Sequence, residues 1–316
     1  MTETTDPSLA TPQLPHAGAS GGLPSPPRTS RAARVVIITL TLLLVLLPIL
    51  WVAVPHEVAR WYLAAALDAS MDAHPALAVS RMDGAIRWDG ADPELYLHRA
   101  RWKLDAGDHP GALDDCHRAL KLAADPGDAL MQRTLVFQRM GRHDEALADW
   151  DQMVDRAREA VARNERDAQA QAQLAVALNN RAYACALAHT RLEQGLADIQ
   201  EALQMPGHQE DYVLLDTRGF LLYLAGDLPR AREDLDAAVT LAQAEYARHS
   251  ARSARLMRQM IDPRPVQEAL KHYEHNLAVI CHHRGLVYQD LGLQDQADRD
   301  LKRARELGYN PQAGVW

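Results

Sequence analysis

Aromatic side chains are scarce in this chain: they make up 5% of 316 residues, with only two Phe, although 47% of the residues are hydrophobic. A core without large rings has to be closed with Ala and Leu, which suits helix packed on helix better than a β-sandwich. Runs of Val, Ile and Thr with period two are missing after residue 55, so strands are not expected there. Cysteine is rare as well. Cys116, Cys185 and Cys281 stand 69 and 96 residues apart, an odd number at spacings that give neither a disulfide framework nor a zinc motif. Each falls in a helical pattern and reads as a small apolar filler. Nor is there an excess of positive charge. A formal net charge of −8 argues against a phosphate-backbone binder, so no nucleic acid is expected as partner. Gly-rich phosphate loops, HExxH, GxSxG, a kinase-like set and Asn-x-Ser/Thr sequons are all missing. The chain is therefore not expected to be an enzyme, and no cofactor or metal is expected.

One long hydrophobic run is present. Residues 35–54 read VVIITLTLLLVLLPILWVAV, 20 residues without a charge, enough as a helix to cross a bilayer core of about 30 Å. Pro48 is tolerable there, and Trp51 fits an interfacial anchor. The preceding residues 1–34, with the stretch LPSPPRTSRAAR, are rich in Pro, Ser, Gly and Ala and are expected to be disordered. Arg28, Arg31 and Arg34 lie just before the run, which places the tail in the cytoplasm and the rest of the chain across the membrane. A cleaved signal peptide is the rival, but its apolar region is usually 7–15 residues and its cut is marked by small residues. Here only a weak Ala53–Val54 site follows, and an uncleaved single-pass anchor is favoured. The Ala-, Arg- and Asp-rich composition resembles that of a bacterium with GC-rich DNA, so the remainder is expected to be extracytoplasmic.

After the run, a short pattern recurs. Arg–Ala/Gly followed by Ala-x-x-Asp appears as Arg99-Ala100 with Ala112 and Asp115, and as Arg133-Thr134 with Ala146 and Asp149. It returns as Arg218-Gly219 with Ala231 and Asp234, and as Arg284-Gly285 with Ala297 and Asp300. A looser copy is Arg181-Ala182 with Gly195 and Asp198. Arg and Asp are 16 residues apart in four copies and 17 in the looser one. Gly107, Gly141, Gly226 and Gly292 each sit five residues before the second-helix Ala, where they make a turn between two helices. Small residues at the recurring positions let two helices approach closely. Arg on the first helix and Asp on the second are expected to meet as an ion pair, because the planar guanidinium fork holds a carboxylate in one geometry.

This pattern resembles the tetratricopeptide repeat family, whose unit is a 34-residue helix–turn–helix. The segments TRGFLLYLAGDLPRAREDLDAAV (217–239) and HRGLVYQDLGLQDQADRDLKRARELGYNP (283–311) carry the resemblance most clearly. It implies an all-α solenoid of about six units preceded by one transmembrane helix, with the repeats proper over 93–311 and a tail at 312–316. Ala66, Ala78 and Ala85 fall 34 residues before Ala100, Ala112 and Ala119, so 55–92 reads as a degenerate first unit with helices near 57–72 and 76–88. Extra sequence near 155–175 and 240–265 reads as extended or added helices.

In this family the first helices line a concave groove. By the resemblance, the groove positions lie three residues before the small pivot residue and one and four after it. They are Leu97, Arg101 and Leu104; Met131, Leu135 and Gln138; Asn179, Tyr183 and Ala186; Asp216, Phe220 and Tyr223; and His282, Leu286 and Gln289. Such a mixture fits an extended peptide or a partner helix. The family's clamp for acidic C-termini needs Lys and Asn at set positions. Only Asn179 and Arg101 are of a suitable type, so that mode is not expected. His272, His275 and His282 share a helical face, but the last two are about 10 Å apart along the axis, too far for one metal. Asp151 and Asp155 read as a solvated face beside Asp149. The favoured function is a membrane-anchored scaffold that holds a protein or peptide in its groove. The alternatives are an assembly subunit of an envelope or secretion complex, and a metal-binding accessory to an enzyme.

Overall fold

The computed structural model describes residues 30–72, 74–257 and 264–310. The described chain is helical throughout, with no strand. In order the helices are α1 (Arg31–Met71), α2 (Pro75–Trp88), α3 (Pro93–Asp105), α4 (His109–Leu122), α5 (Gly127–Arg139) and α6 (His143–Arg163). They continue as α7 (Ala168–Ala188), α8 (Leu192–Gln204), α9 (Tyr212–Leu224), α10 (Leu228–Met257), α11 (Arg264–Asp290) and α12 (Gln294–Glu306). Residues 1–54 form one unit and 55–316 another.

In the second unit α3 to α12 pair in sequence as five helical hairpins, each packed on the next. The C-terminal part of α1 and α2 make a sixth: Ala59, Ala66 and Ala69 share a buried cluster with Ala78, Met82 and Ala85, and with Leu95 and Trp102 of α3. The degenerate first unit thus folds like its successors, with Ala66, Ala78 and Ala85 fully buried.

In four of the hairpins the turn is set by a glycine, Gly107, Gly141, Gly226 or Gly292. At Gly107 the φ is +80°; its N–H reaches Leu104 O at 3.1 Å, and Asp108 N reaches Lys103 O at 2.8 Å. This pair of bonds closes a helix C-terminus through a left-handed residue. The looser copy lacks the glycine, and His189 (φ +50°) does the same work, its N–H bonding Ala186 O at 3.1 Å. The extra residue of that copy puts Arg191 into the left-handed region as well, at φ +53°.

The expected ion pairs form in all five copies, and each lies within its own hairpin. Arg99 donates from Nε and Nη2 to the two oxygens of Asp115 at 2.9 and 2.6 Å. Arg133 and Asp149 repeat this at 2.8 and 2.6 Å, and Arg181 and Asp198 at 2.8 Å twice. Arg218 with Asp234 and Arg284 with Asp300 complete the set at 2.6–2.9 Å. The five carboxylates are all buried.

In four of the five copies the remaining guanidinium nitrogen then ties the hairpin to the one before. Nη1 of Arg99 reaches Asp83 at 2.6 Å, that of Arg181 reaches Asp151 at 2.9 Å, and that of Arg284 reaches Asp236 at 3.1 Å. Arg218 makes the same reach to Gln200 at 3.4 Å. Asp151, Gln200 and Asp236 each follow the buried Asp of their hairpin by two residues, and Asp83 holds the corresponding place in the first unit. Asp151, with 36% of its side chain exposed, is therefore paired with two arginines as well as part-solvated. Burial pushes its pKa up, but bonds from Arg191 and Arg181 outweigh that and hold it below the usual carboxylate range.

The extra segments lengthen existing helices instead of adding new ones. α6 and α7 each run 21 residues, α10 runs 30 and α11 27, against 13 for α9. The three cysteines are buried and unpaired, as small core fillers. Burial pushes the Cys116 thiol up to about 12 and those of Cys185 and Cys281 to about 11, which leaves them inert at neutral pH.

One expectation for the N-terminus changes. Residues 31–34, expected in a disordered tail, begin α1; residues 1–29 lie outside the described residues. Among the described residues no helix is long and apolar enough to cross a membrane. In the expected span 35–54, the side chains of residues 48–52 lie outside the described residues, and the described apolar stretch 35–47 is short of the roughly 20 residues a bilayer needs.

Removing Arg181 leaves Asp198 buried without its counter-charge. Arg181→Met is expected to cost about 3–5 kcal/mol, measured by urea unfolding, and adding Asp198→Leu to recover much of that loss. His189→Gly is expected to stabilise the domain by about 0.5–1 kcal/mol, because the left-handed conformation penalises every residue with a Cβ; an unchanged or lower melting temperature would contradict it.

Candidate functional site

The first helices of the hairpins, α3, α5, α7, α9 and α11, all contribute to one cavity of about 690 Å³. Of the groove residues expected from the sequence, Leu97, Arg101, Leu104, Met131, Leu135, Gln138, Tyr183, Phe220 and His282 line it. Asn179 and Asp216, again with Tyr183, line a second cavity of about 440 Å³. Ala186, Tyr223, Leu286 and Gln289 line neither. In α3 and α5 the residue four after the pivot still faces the cavity; in α7, α9 and α11 it does not.

The sequence rule sampled only part of each helix face. His98, Gln132 and His283 lie two residues before the pivot, Glu94 and Asp128 six before it, and Asp105 and Arg139 five after it; all line the larger cavity. Positions −6, −3, −2, +1, +4 and +5 form one stripe at helical period, so the signal was in the sequence. Tyr309 was not foreshadowed in the same way. Gly308 (φ +88°) turns the chain at the end of α12, with Tyr309 N bonded to Ala304 O at 2.9 Å. The Tyr309 ring then stacks on His282 with 4.2 Å between centroids.

Where the cavity meets α9 and α11, two expected groove residues are taken up by the fold. Asp216 is buried and its Oδ1 lies 2.9 Å from His283 Nδ1, itself only 2% exposed. Phe220 stacks on His283 with centroids 4.0 Å apart. Tyr183 is buried beside both rings. Free side chains are offered at the other end, where Arg101 and Met131 are exposed, Met131 at 42%.

The second cavity follows from the lengthened helices. Relative to its pivot, α7 starts seven residues earlier than α9 does, and α11 fourteen earlier, about 10 and 21 Å of helix. The short start of α9 thus leaves a recess between two longer helices. Val213 and Leu214 of α9 line it with Val176, Val279 and Ile280, and its polar groups include Asn179, Asn180, His272 and His275. His272 and His275 open here while His282 belongs to the larger cavity. Among the described residues no group of three or more His, Cys, Asp or Glu is arranged to hold a metal ion.

Burial, with neighbouring His283, pushes His282 down to about 4. The unfolded imidazole titrates near 6.5 and so binds the proton first. Protonation therefore favours unfolding: the His282 contribution is complete above about pH 6.5 and lost as pH falls toward 4. In His282→Phe, which keeps a ring against Tyr309, the melting temperature is expected to fall less steeply between pH 6.5 and 4 than in the parent. Equal slopes would show that His282 does not titrate there.

No protein-family model matches the chain, and no curated protein matches it. Among solved structures it is similar to PilW, a widely conserved type IV pilus biogenesis factor, with a TM-score of 0.51 at 14% identity, over 81% of this chain and 96% of that one. A tetratricopeptide repeat protein from Parabacteroides merdae aligns over 81% and 96% at 14% identity with a TM-score of 0.48. MamA from Desulfovibrio magneticus aligns over 59% and 96% at 20% identity with a TM-score of 0.43. Identities this low bear on the fold alone, and of these three only the PilW superposition is close enough to carry weight. With the repeated hairpins, it supports the fold of the described residues from 55 on as an all-α helical-repeat solenoid, consistent with the tetratricopeptide type.

Proposed function

We propose that this protein is a non-enzymatic scaffold, anchored in a cell membrane by residues 35–54, that grips a protein or peptide segment outside the cytoplasm. The observation that carries the binding role is the stripe from five successive first helices that lines one cavity of about 690 Å³. This surface, assembled from one helix per hairpin, offers apolar contacts at Leu97, Met131 and Leu135 set among Arg101, Arg139, Glu94 and Asp128. That suits a partner segment laid across several units.

The anchor rests on the apolar run and on how its described part stands in the structure. The aliphatic side chains of Val35–Leu47 are all uncovered, from 46% exposed at Leu43 to 77% at Leu44. Thr41 turns its hydroxyl back to Ile37 O at 2.8 Å, which satisfies the polar group within the helix as lipid requires. Arg31 and Arg34 at the start of α1 support a cytoplasmic N-terminus.

Crosslinking of the full chain in native membranes tests both parts. In Arg101→Glu with Met131→Glu, both exposed groove positions, the crosslinked partner is expected to fall about tenfold, corresponding to about 1.4 kcal/mol, with helicity and melting unchanged. Undiminished crosslinking would move the binding surface elsewhere. Extraction of the chain by alkaline carbonate would remove the anchor.

A further inference from the structure

The recess above α9 is unfinished in two ways. The first is apolar. Among the described residues of α3 to α12, the large hydrophobic side chains left exposed are Met131, Val176, Val213 and Leu256. Two of these four, Val176 at 57% and Val213 at 37%, line the recess. Leu214, Val279 and Ile280 are buried and continue its apolar wall. The volume of about 440 Å³ falls within the range of pockets that enclose small ligands.

The second is polar, and it says what chemistry fits. No Lys or Arg lines the recess, and both of its carboxylates are already engaged. Asp216 lies 2.9 Å from His283; Asp211 accepts from the Val213 N–H at 2.9 Å and lies 3.3 Å from His208. Asn276 donates to the Tyr212 hydroxyl and lies beside His272, each at 3.4 Å. Asn179 is different: its Oδ1 is buried with no hydrogen-bond partner among the described residues. A buried carbonyl oxygen without a donor is costly, so it marks a contact left open. A primary amide carries an acceptor and a donor side by side, which match the N–H and C=O of a peptide group. A charged side chain entering here would lose its water and gain no counter-charge, whereas an aliphatic one only covers apolar surface.

We infer that the recess is a selectivity pocket for the held segment: it takes one uncharged, branched aliphatic side chain, and the adjoining peptide group bonds to the Asn179 amide. This deepens the scaffold reading and rests on it. Tyr183 lines both cavities, so a segment laid in the larger one passes the mouth of the recess. The pocket comes from the early starts of α7 and α11 around a short α9, and the repeat unit itself does not supply it.

The test is methyl NMR on the full chain in phospholipid nanodiscs, with Val, Ile and Met methyls labelled. The probes are the capped peptide acetyl-Ala-Leu-Ala-amide and its counterparts with Glu or Lys in place of Leu. The Leu peptide is expected to shift the Val213, Val279 and Ile280 methyls saturably, with the Glu and Lys peptides more than about tenfold weaker. Asn179→Ala is expected to weaken the Leu peptide about fivefold. Val176→Glu with Val213→Glu, both at exposed positions, is expected to abolish the shifts with helicity unchanged. An equal response to all three peptides, or no response of these methyls to the Leu peptide, overturns the pocket; both readings use the parent chain and need no variant to fold. Shifts confined to the Met131 methyl would also overturn it, while leaving the scaffold reading in place. A selective response of the recess, in a chain whose crosslinked partner is indifferent to Arg101→Glu with Met131→Glu, would keep the pocket and remove the larger cavity as the binding surface.

Discussion

The buried Arg–Asp fork is the interaction on which the rest of this structure depends. Each of the five hairpins after the first holds a carboxylate that has lost its water, and a guanidinium presented edge-on satisfies both oxygens. The fork fixes the distance and rotation between the two helices of a unit. Its third nitrogen is then aimed at the preceding unit, where Asp83, Asp151, Gln200 or Asp236 receives it. One side chain thus sets both the geometry of a hairpin and its stacking on the last. At Arg133 the corresponding residue is His117, which burial, together with Arg133, holds below its ordinary pKa.

Around these forks the small residues close the helix crossings. Gly219 and Gly285 show how tight the fit is, since a Cβ there would come within 2.6 Å of Leu235 or 2.8 Å of Leu301. Large rings would not fit such crossings, which accounts for their scarcity in the sequence. The rings that are present collect where the first helices converge: Tyr183, Phe220, His282 and His283 with Tyr309. They form a solid floor at one end of the larger cavity and leave its other end, at α3 and α5, as the accessible part.

The lengthened helices change the surface without changing the repeat. Tyr246 on α10 donates to Glu274 on α11 at 2.9 Å, and His249 stacks on Tyr273 at 4.1 Å, so the two extensions brace each other beyond the body of the hairpin. Because α9 is not lengthened, the recess between α7 and α11 follows from helix lengths alone. The two cavities share Tyr183 and differ in character, the larger one charged along its rim and the smaller one mainly apolar.

The helical hairpins, four of their glycine turns and the buried Asp that pairs with each recurring Arg were legible in the sequence, unlike the second partner that four of these arginines take in the preceding unit. These features rest on local period and on contacts 16 or 17 residues apart, which a repeat displays directly. Nine of the fifteen groove positions implied by the family resemblance line the larger cavity. Only the tertiary structure decided which of those positions stay open. Asp216 is withdrawn from the groove by His283, 67 residues away, and Tyr309 enters it through a turn after the last helix. The recess above α9 exists only because helices separated by dozens of residues begin at different heights. Contacts of that kind depend on how hairpins stack in space, and no spacing within a single unit records them.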